Sequence, residues 1–176
     1  MENLNAGDIA WVLTATALVL VMTPALAFFY GGMVRKKNAL STLNMSIIIM
    51  ALMSIQWLLI GFTLAFGPNI GGFIGGLGYL GFEGVGAAPN PEYAATIPFL
   101  LFAAFQMMFA IITPALITGA FVERVRFLPF LLFTILWATL VYDPVAHWVW
   151  AVGGFLRNMG ALDFAGGTVV HITAGF

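Results

Sequence analysis

IPFLLFAAFQMMFAIITPALITGAFVERVRF, residues Ile97 to Phe127, decides what kind of protein this is. From Ile97 to Val122 it carries no charge, and it then meets Glu123, Arg124 and Arg126. A helix rises about 1.5 Å per residue, so roughly 20 apolar residues cross the hydrocarbon core of a bilayer. The apolar part, about 97–121, is long enough, and its charged end marks a membrane surface. Composition extends this reading to the whole chain. Of its residues 62% are apolar and 7% charged, against about 25% charged in a soluble domain. Mean hydropathy is +1.04. The sequence predicts an all-α integral membrane protein.

Working outward, further spans fall at about 9–33, 40–66 and 127–147, with a fifth apolar segment over 164–176. The fourth apolar run reads from Phe127 to Tyr142, where Asp143 and Pro144 close it. Residues 67–95 are rich in glycine, with Pro89 and Pro91, and read as a long loop or a re-entrant segment. Five of the six Lys and Arg residues lie at 35–37 and 124–126. The excess of basic residues in cytoplasmic loops makes the loops at 35–38 and 122–126 cytoplasmic and puts the N-terminus outside. A further crossing through NIGGFIGGLGYLGF would put Arg124 and Arg126 outside, so parity argues against one. The start MENLNAGDIA has acids and no basic residue, unlike a cleaved signal peptide, so the first span is expected to be retained. Five spans is an odd number, which allows half of an inverted-repeat transporter. A chain ending inside an apolar segment is expected to be a fragment or half of a longer chain.

Exclusions follow from the same composition. There is no cysteine, hence no disulfide, thiolate metal site or cysteine nucleophile. Net charge is −1, which gives no footprint for nucleic acid. GGMVRKKN and GGLGYLGFEG are not nucleotide loops, because neither sits between a strand and a helix. No metal or cofactor is expected, and no nucleophile with helpful spacing supports an enzyme.

The residues able to carry chemistry are few. Asp163 reads as a helix cap and also as a fixed negative charge, and the two readings are compatible. His171 lies eight residues on, well into the hydrocarbon region if a helix joins them. It is either packed against a backbone carbonyl or part of a pore or proton relay. His147, near the outer end of the fourth span, reads as structural. Trp148 and Trp150 belong either to an interfacial aromatic belt or to a cation–π surface. Phe105 and Phe109 share one helix face, and Gln106 between them needs a polar partner.

FFYGGMVRKKN, FQMMFAIITPALITGAFVERVRF, AHWVW and ALDFAGGTVVHI, in this order, resemble the ammonium transporter (Amt/Rh/MEP) family on its Amt side. The resemblance covers nearly the whole chain. It implies the five-helix N-terminal half of an eleven-helix inverted-repeat fold, with the fifth helix cut short. It implies ammonium or ammonia as substrate, methylammonium as an analogue, a lipid bilayer, a homotrimer with one pore per subunit, nitrogen uptake at an inner or plasma membrane, and a cytoplasmic PII-type regulator. By the same resemblance Phe109, Trp150 and Asp163 recruit the external cation, with Trp148 as the alternative to Trp150. Phe105 and Phe109 match a stacked pair closing the pore entrance, and His171 matches the first of two pore histidines. An ammonium sensor on the same pore fold is the alternative function.

Overall fold

Backbone N–H and C=O groups inside lipid find no water and must pair within the protein, which leaves helices as the economical solution for this composition. The computed structural model describes residues 4–176. Met1–Asn3, the start of the acidic N-terminal stretch, lie outside the described residues. Helix α1 spans Ala6–Met33. Asn5 caps it by accepting hydrogen bonds from the N–H groups of Gly7 and Asp8, and Asp8 in the first turn complements the helix dipole. Helix α2 (Ala39–Gln56) runs through a π-helical turn, Trp57–Gly61, into α3 (Phe62–Phe66). Helix α4 spans Phe99–Phe121. Helix α5 (Phe127–Trp137) passes through a second π turn, Ala138–Tyr142, into α6 (Asp143–Trp150). A short α7 (Phe155–Asn158) follows, and the chain ends in a third π turn, Gly167–Ile172, leading into α8 (Thr173–Gly175).

Among the described residues four helical rods are long and apolar enough to cross a membrane. They are Ala6–Met33, Lys36–Phe66, Phe99–Phe121 and Phe127–Asn158, and this is a multi-pass membrane protein. The glycine-rich segment is a loop with small antiparallel pairs. Strand β1 (Asn69–Ile70) pairs with β2 (Ile74–Gly75), and β3 (Pro89–Asn90) with β4 (Ala94–Pro98).

The fourth rod corrects the sequence reading. It does not close at Asp143 and Pro144 but continues to Trp150. The π turn explains this. The Asp143 N–H bonds back five residues to the Ala138 carbonyl, and Pro144 then falls in the first turn of α6, where its missing N–H costs little. Asp143 is therefore fully buried inside the bundle and not at its edge.

The helices bury their surface unequally. Within its most apolar window α4 is 50% buried, against 11% for α1. Helix α4 is thus the most buried of the rods, and α1 exposes Trp11, Leu18, Phe28 and Phe29. Two cores form. One is aromatic, with Trp57, Phe62, Phe66, Phe99 and Tyr142. The Trp57 indole also donates to the Ala103 carbonyl of α4 at 3.1 Å. The other is built of flexible and branched aliphatic groups around Met53, Met108, Ile111 and Phe130.

At the opposite end of α4, Glu123 clasps two loops together. Its Oε1 accepts from the Asn38 amide at 2.7 Å and from the Arg35 backbone N–H and Nε, both at 3.1 Å. To do so it takes a left-handed conformation, φ 65°, that a side chain rarely adopts. The Asn38 amide and the Arg35 donors hold the Glu123 carboxyl down, from 4.5 to about 2. A carboxyl with a folded value below its unfolded one stabilises the fold above the unfolded value and loses that contribution as pH falls through the folded one. The clasp is therefore expected to weaken between about pH 4.5 and about 2. Thermal unfolding across that window should show a pH slope in the wild type that is reduced in Glu123→Gln.

Candidate functional site

One face of α4 builds the site. Phe102, Phe105, Gln106 and Phe109 follow one another at helical spacing, and Ile112 and Leu116 continue the row. The first four line a recess of about 510 Å³ together with Glu92, Tyr93, Trp150, Arg157 and Asp163. Phe109, Ile112 and Leu116 line a second, apolar recess of about 270 Å³ against α1, with His171 at its wall. Phe109 belongs to both, so its ring stands between them.

Trp150 is fixed from three sides. Its ring meets that of Phe109 edge to face at 5.8 Å. Its indole N–H donates to the Asp163 carbonyl at 3.1 Å, and Arg157 Nη1 donates to its own carbonyl at 2.5 Å. Trp148 points elsewhere. It donates to the Phe73 carbonyl and packs on Phe155. The structure therefore brings Trp150, and not Trp148, to Phe109. Phe105 and Phe109 are in contact with centroids 5.1 Å apart, but their planes stand at 87°. The stacked pair expected from the resemblance is therefore an edge-to-face pair here, a difference of side-chain torsion.

Asp163 caps the last helical segment from a distance. Its Oδ2 accepts from the N–H groups of Thr168 and Val169, both at 2.9 Å. Its Oδ1 is buried without a partner among the described residues. The helix does not follow Asp163 directly, as the depth argument assumed, but starts at Gly167. Gly166 sets this start. Its φ is +86°, and a Cβ there would run into the Val170 side chain. Its carbonyl accepts from both the Val170 and the His171 N–H, at 3.0 and 2.9 Å, which opens the π turn and aims His171 at the second recess. His171 is exposed at the wall of that recess.

His147 is structural, as its position suggested. It is fully buried between the Ala65 carbonyl at 2.9 Å and Asn69 Oδ1 at 3.0 Å, tying α6 to α3 and to the β1 hairpin. Gln106 does not find the partner it needs. Among the described residues its Oε1 stays unpaired, in the wall of the larger recess. Glu92, Tyr93 and Arg157 were missed by sequence reasoning. They arrive from loops whose folding leaves no local signal. Burial pushes the Tyr93 phenol above its ordinary value, so the ring stays neutral while its oxygen accepts from the Val152 N–H at 3.0 Å. No cluster of side chains suited to a metal occurs among the described residues.

The recess holding Glu92, Trp150 and Asp163 and the apolar recess walled by His171 thus meet at Phe109. The family model for the Ammonium Transporter Family matches residues 10–176. The chain belongs to that family. An ammonium transporter of Bacillus subtilis is 55% identical over 172 residues, covering 98% of this chain and 42% of that protein. The crystal structure of Candida albicans Mep2 superposes with a TM-score of 0.90 at 38% identity, over 99% of this chain and 38% of that one. A sensor Amt protein superposes with a TM-score of 0.82 at 29% identity, over 94% of this chain and 41% of that one. The chain thus spans about two-fifths of the length of these relatives, and its helices are those of the ammonium transporter fold.

The capping role of Asp163 is tested by hydrogen exchange. Asp163→Ala removes the cap, which is worth about 0.5–2 kcal/mol at comparable sites. Hydrogen exchange at the Thr168 and Val169 amides should then speed up roughly 2- to 30-fold. Asp163→Asn keeps an acceptor oxygen and should exchange close to wild type.

Proposed function

We propose that the whole protein to which this chain belongs moves ammonium across the membrane, entering on the side of Glu92, Trp150 and Asp163. The observation that carries the reading is Phe109, shared by a recess with carboxylates and aromatic faces and by an apolar recess walled by His171. The cation is drawn by the field of Asp163 and Glu92 and by the faces of Trp150 and Phe109. Gln106 Oε1 offers an N–H donor an acceptor that has no partner among the described residues. Beyond Phe109 the lining is Met22, Leu26, Ile112 and Leu116, where a bare ion pays heavily and neutral ammonia little. The proton is therefore given up at or before Phe109, and His171 orients the neutral molecule. A proton that follows gains about 2.3 kcal/mol per 100 mV; one left outside makes the pore a gas channel. Phe105 and Phe109 act as the gate, edge against face.

The membrane is an inner or plasma membrane, with the Arg35 and Arg124 loops cytoplasmic and the N-terminus outside. The assembly is a homotrimer, and a PII-type regulator docks on the cytoplasmic loops. Named transporters among the relatives support this reading over an enzymatic one. A sensor is the second reading, favoured by the superposition on the sensor Amt protein.

Methylammonium uptake and ammonium-induced current, measured on the complete protein in liposomes, test both readings. Trp150→Leu removes a cation–π face worth about 0.5–2 kcal/mol, so half-saturation should rise roughly 2- to 30-fold. His171→Ala should lower uptake with binding at the mouth retained, and normal uptake in that variant would remove the histidine's role. Binding without flux in the wild type would favour the sensor.

A further inference from the structure

Asp143 takes no part in the path described above. It is fully buried where the π turn Ala138–Tyr142 meets α6. Gln56 stands at the matching place on the neighbouring rod, where α2 meets the π turn Trp57–Gly61. Its amide nitrogen donates to Asp143 Oδ2 at 2.7 Å and to Thr139 Oγ1 at 3.2 Å. Two buried atoms are left over, Asp143 Oδ1 and Gln56 Oε1, each without a partner among the described residues. If Asp143 were ionised both would be acceptors, and neither could satisfy the other.

No counter-ion stands ready. Among the described residues no Lys, Arg or His nitrogen lies within 4.0 Å of Asp143. Of the elements packed on α6 or on the turn before it, α3, β2 and the turn Trp57–Gly61 hold no titratable side chain. The turn Ala138–Tyr142 contributes the buried Tyr142 hydroxyl. His147, one turn along α6, is engaged with Ala65 and Asn69. Arg157 on α7 and His171 in the last segment line the two recesses. A lone carboxylate in such surroundings lacks both solvent and a cation.

The geometry points to a proton-binding site at Asp143, outside the conduction path. The carboxyl is held as a neutral acid whose Oδ1–H donates to Gln56 Oε1, while Gln56 Nε2 donates to Oδ2. Acid and amide then form a closed pair of hydrogen bonds that joins the second and fourth rods and uses both orphan atoms. The ligand is the proton itself, held where it neutralises the only acid at this contact.

The test is infrared spectroscopy of the complete protein in liposomes at neutral pH, independent of any ammonium flux. The wild type minus Asp143→Asn difference should contain the carbonyl band of a protonated carboxyl, shifted in heavy water. Ionised-carboxylate bands in its place would overturn the site, whatever balances the charge, an imidazolium at His147 included. Asp143→Asn keeps both hydrogen bonds and should unfold near the wild-type temperature, whereas Asp143→Ala should unfold lower; an equal loss in both would overturn the neutral pair. Should Asp143→Asn fail to fold, Gln56→Leu replaces it: the carboxyl band should move when its amide partner is gone, and an unmoved band would overturn the assignment.

Discussion

The structure rests on the requirement that polar groups in lipid find their partners inside the protein. It dictates rods of helix, and it also dictates how the rods are allowed to be irregular. Each π turn is a place where the backbone gives up the regular register and must be compensated. Two of them lie on neighbouring rods, and their ends are joined by the bond between Gln56 and Asp143. The third opens at Gly166 and is compensated by Asp163, which takes up two free N–H groups. Only the third turn lies at the site, where Val170 and His171 line the apolar recess; the other two meet at the contact of the second and fourth rods.

Positioning of the site follows from the central helix. Helix α4 is the most buried rod, and one of its faces passes from the vestibule to the apolar recess without interruption. The ring of Phe109 divides a single groove along that face. Trp150 and Asp163 are attached to each other through the indole and the Asp163 carbonyl, so the aromatic face and the charge are held as one unit. Arg157 contributes by holding the carbonyl of Trp150.

Much of this was legible in the sequence, and the reason is physical. Long apolar runs and clustered basic residues are local signals, and they are enough for the four rods and for reading 67–95 as a loop. The helical row Phe105, Phe109 and the acid at 163 are also local. Asp143 was misread because its partner, Gln56, lies on another rod, and because Asp-Pro at the end of an apolar run looks like a helix stop. Nothing in the residues 138–142 announces a π turn, so the extension to Trp150 was invisible. Glu92, Tyr93 and Arg157 come from loops, where residue types say little about which cavity the chain will reach. The relative tilt of Phe105 and Phe109 is a matter of side-chain torsion and cannot be read from spacing.

The π turn at 138–142 has a further consequence for the phase of the fourth rod. One residue of helix is about 100° of rotation, since 3.6 residues complete a turn. The extra residue held in that turn therefore sets the azimuth of everything after it. Deleting one residue there would leave the length and hydropathy of the rod almost unchanged. It would nevertheless swing Asp143 away from Gln56, His147 away from Ala65 and Trp150 away from Phe109 together. Hydropathy comparison of two such chains would report the same membrane protein, while the vestibule of one of them would have lost its wall.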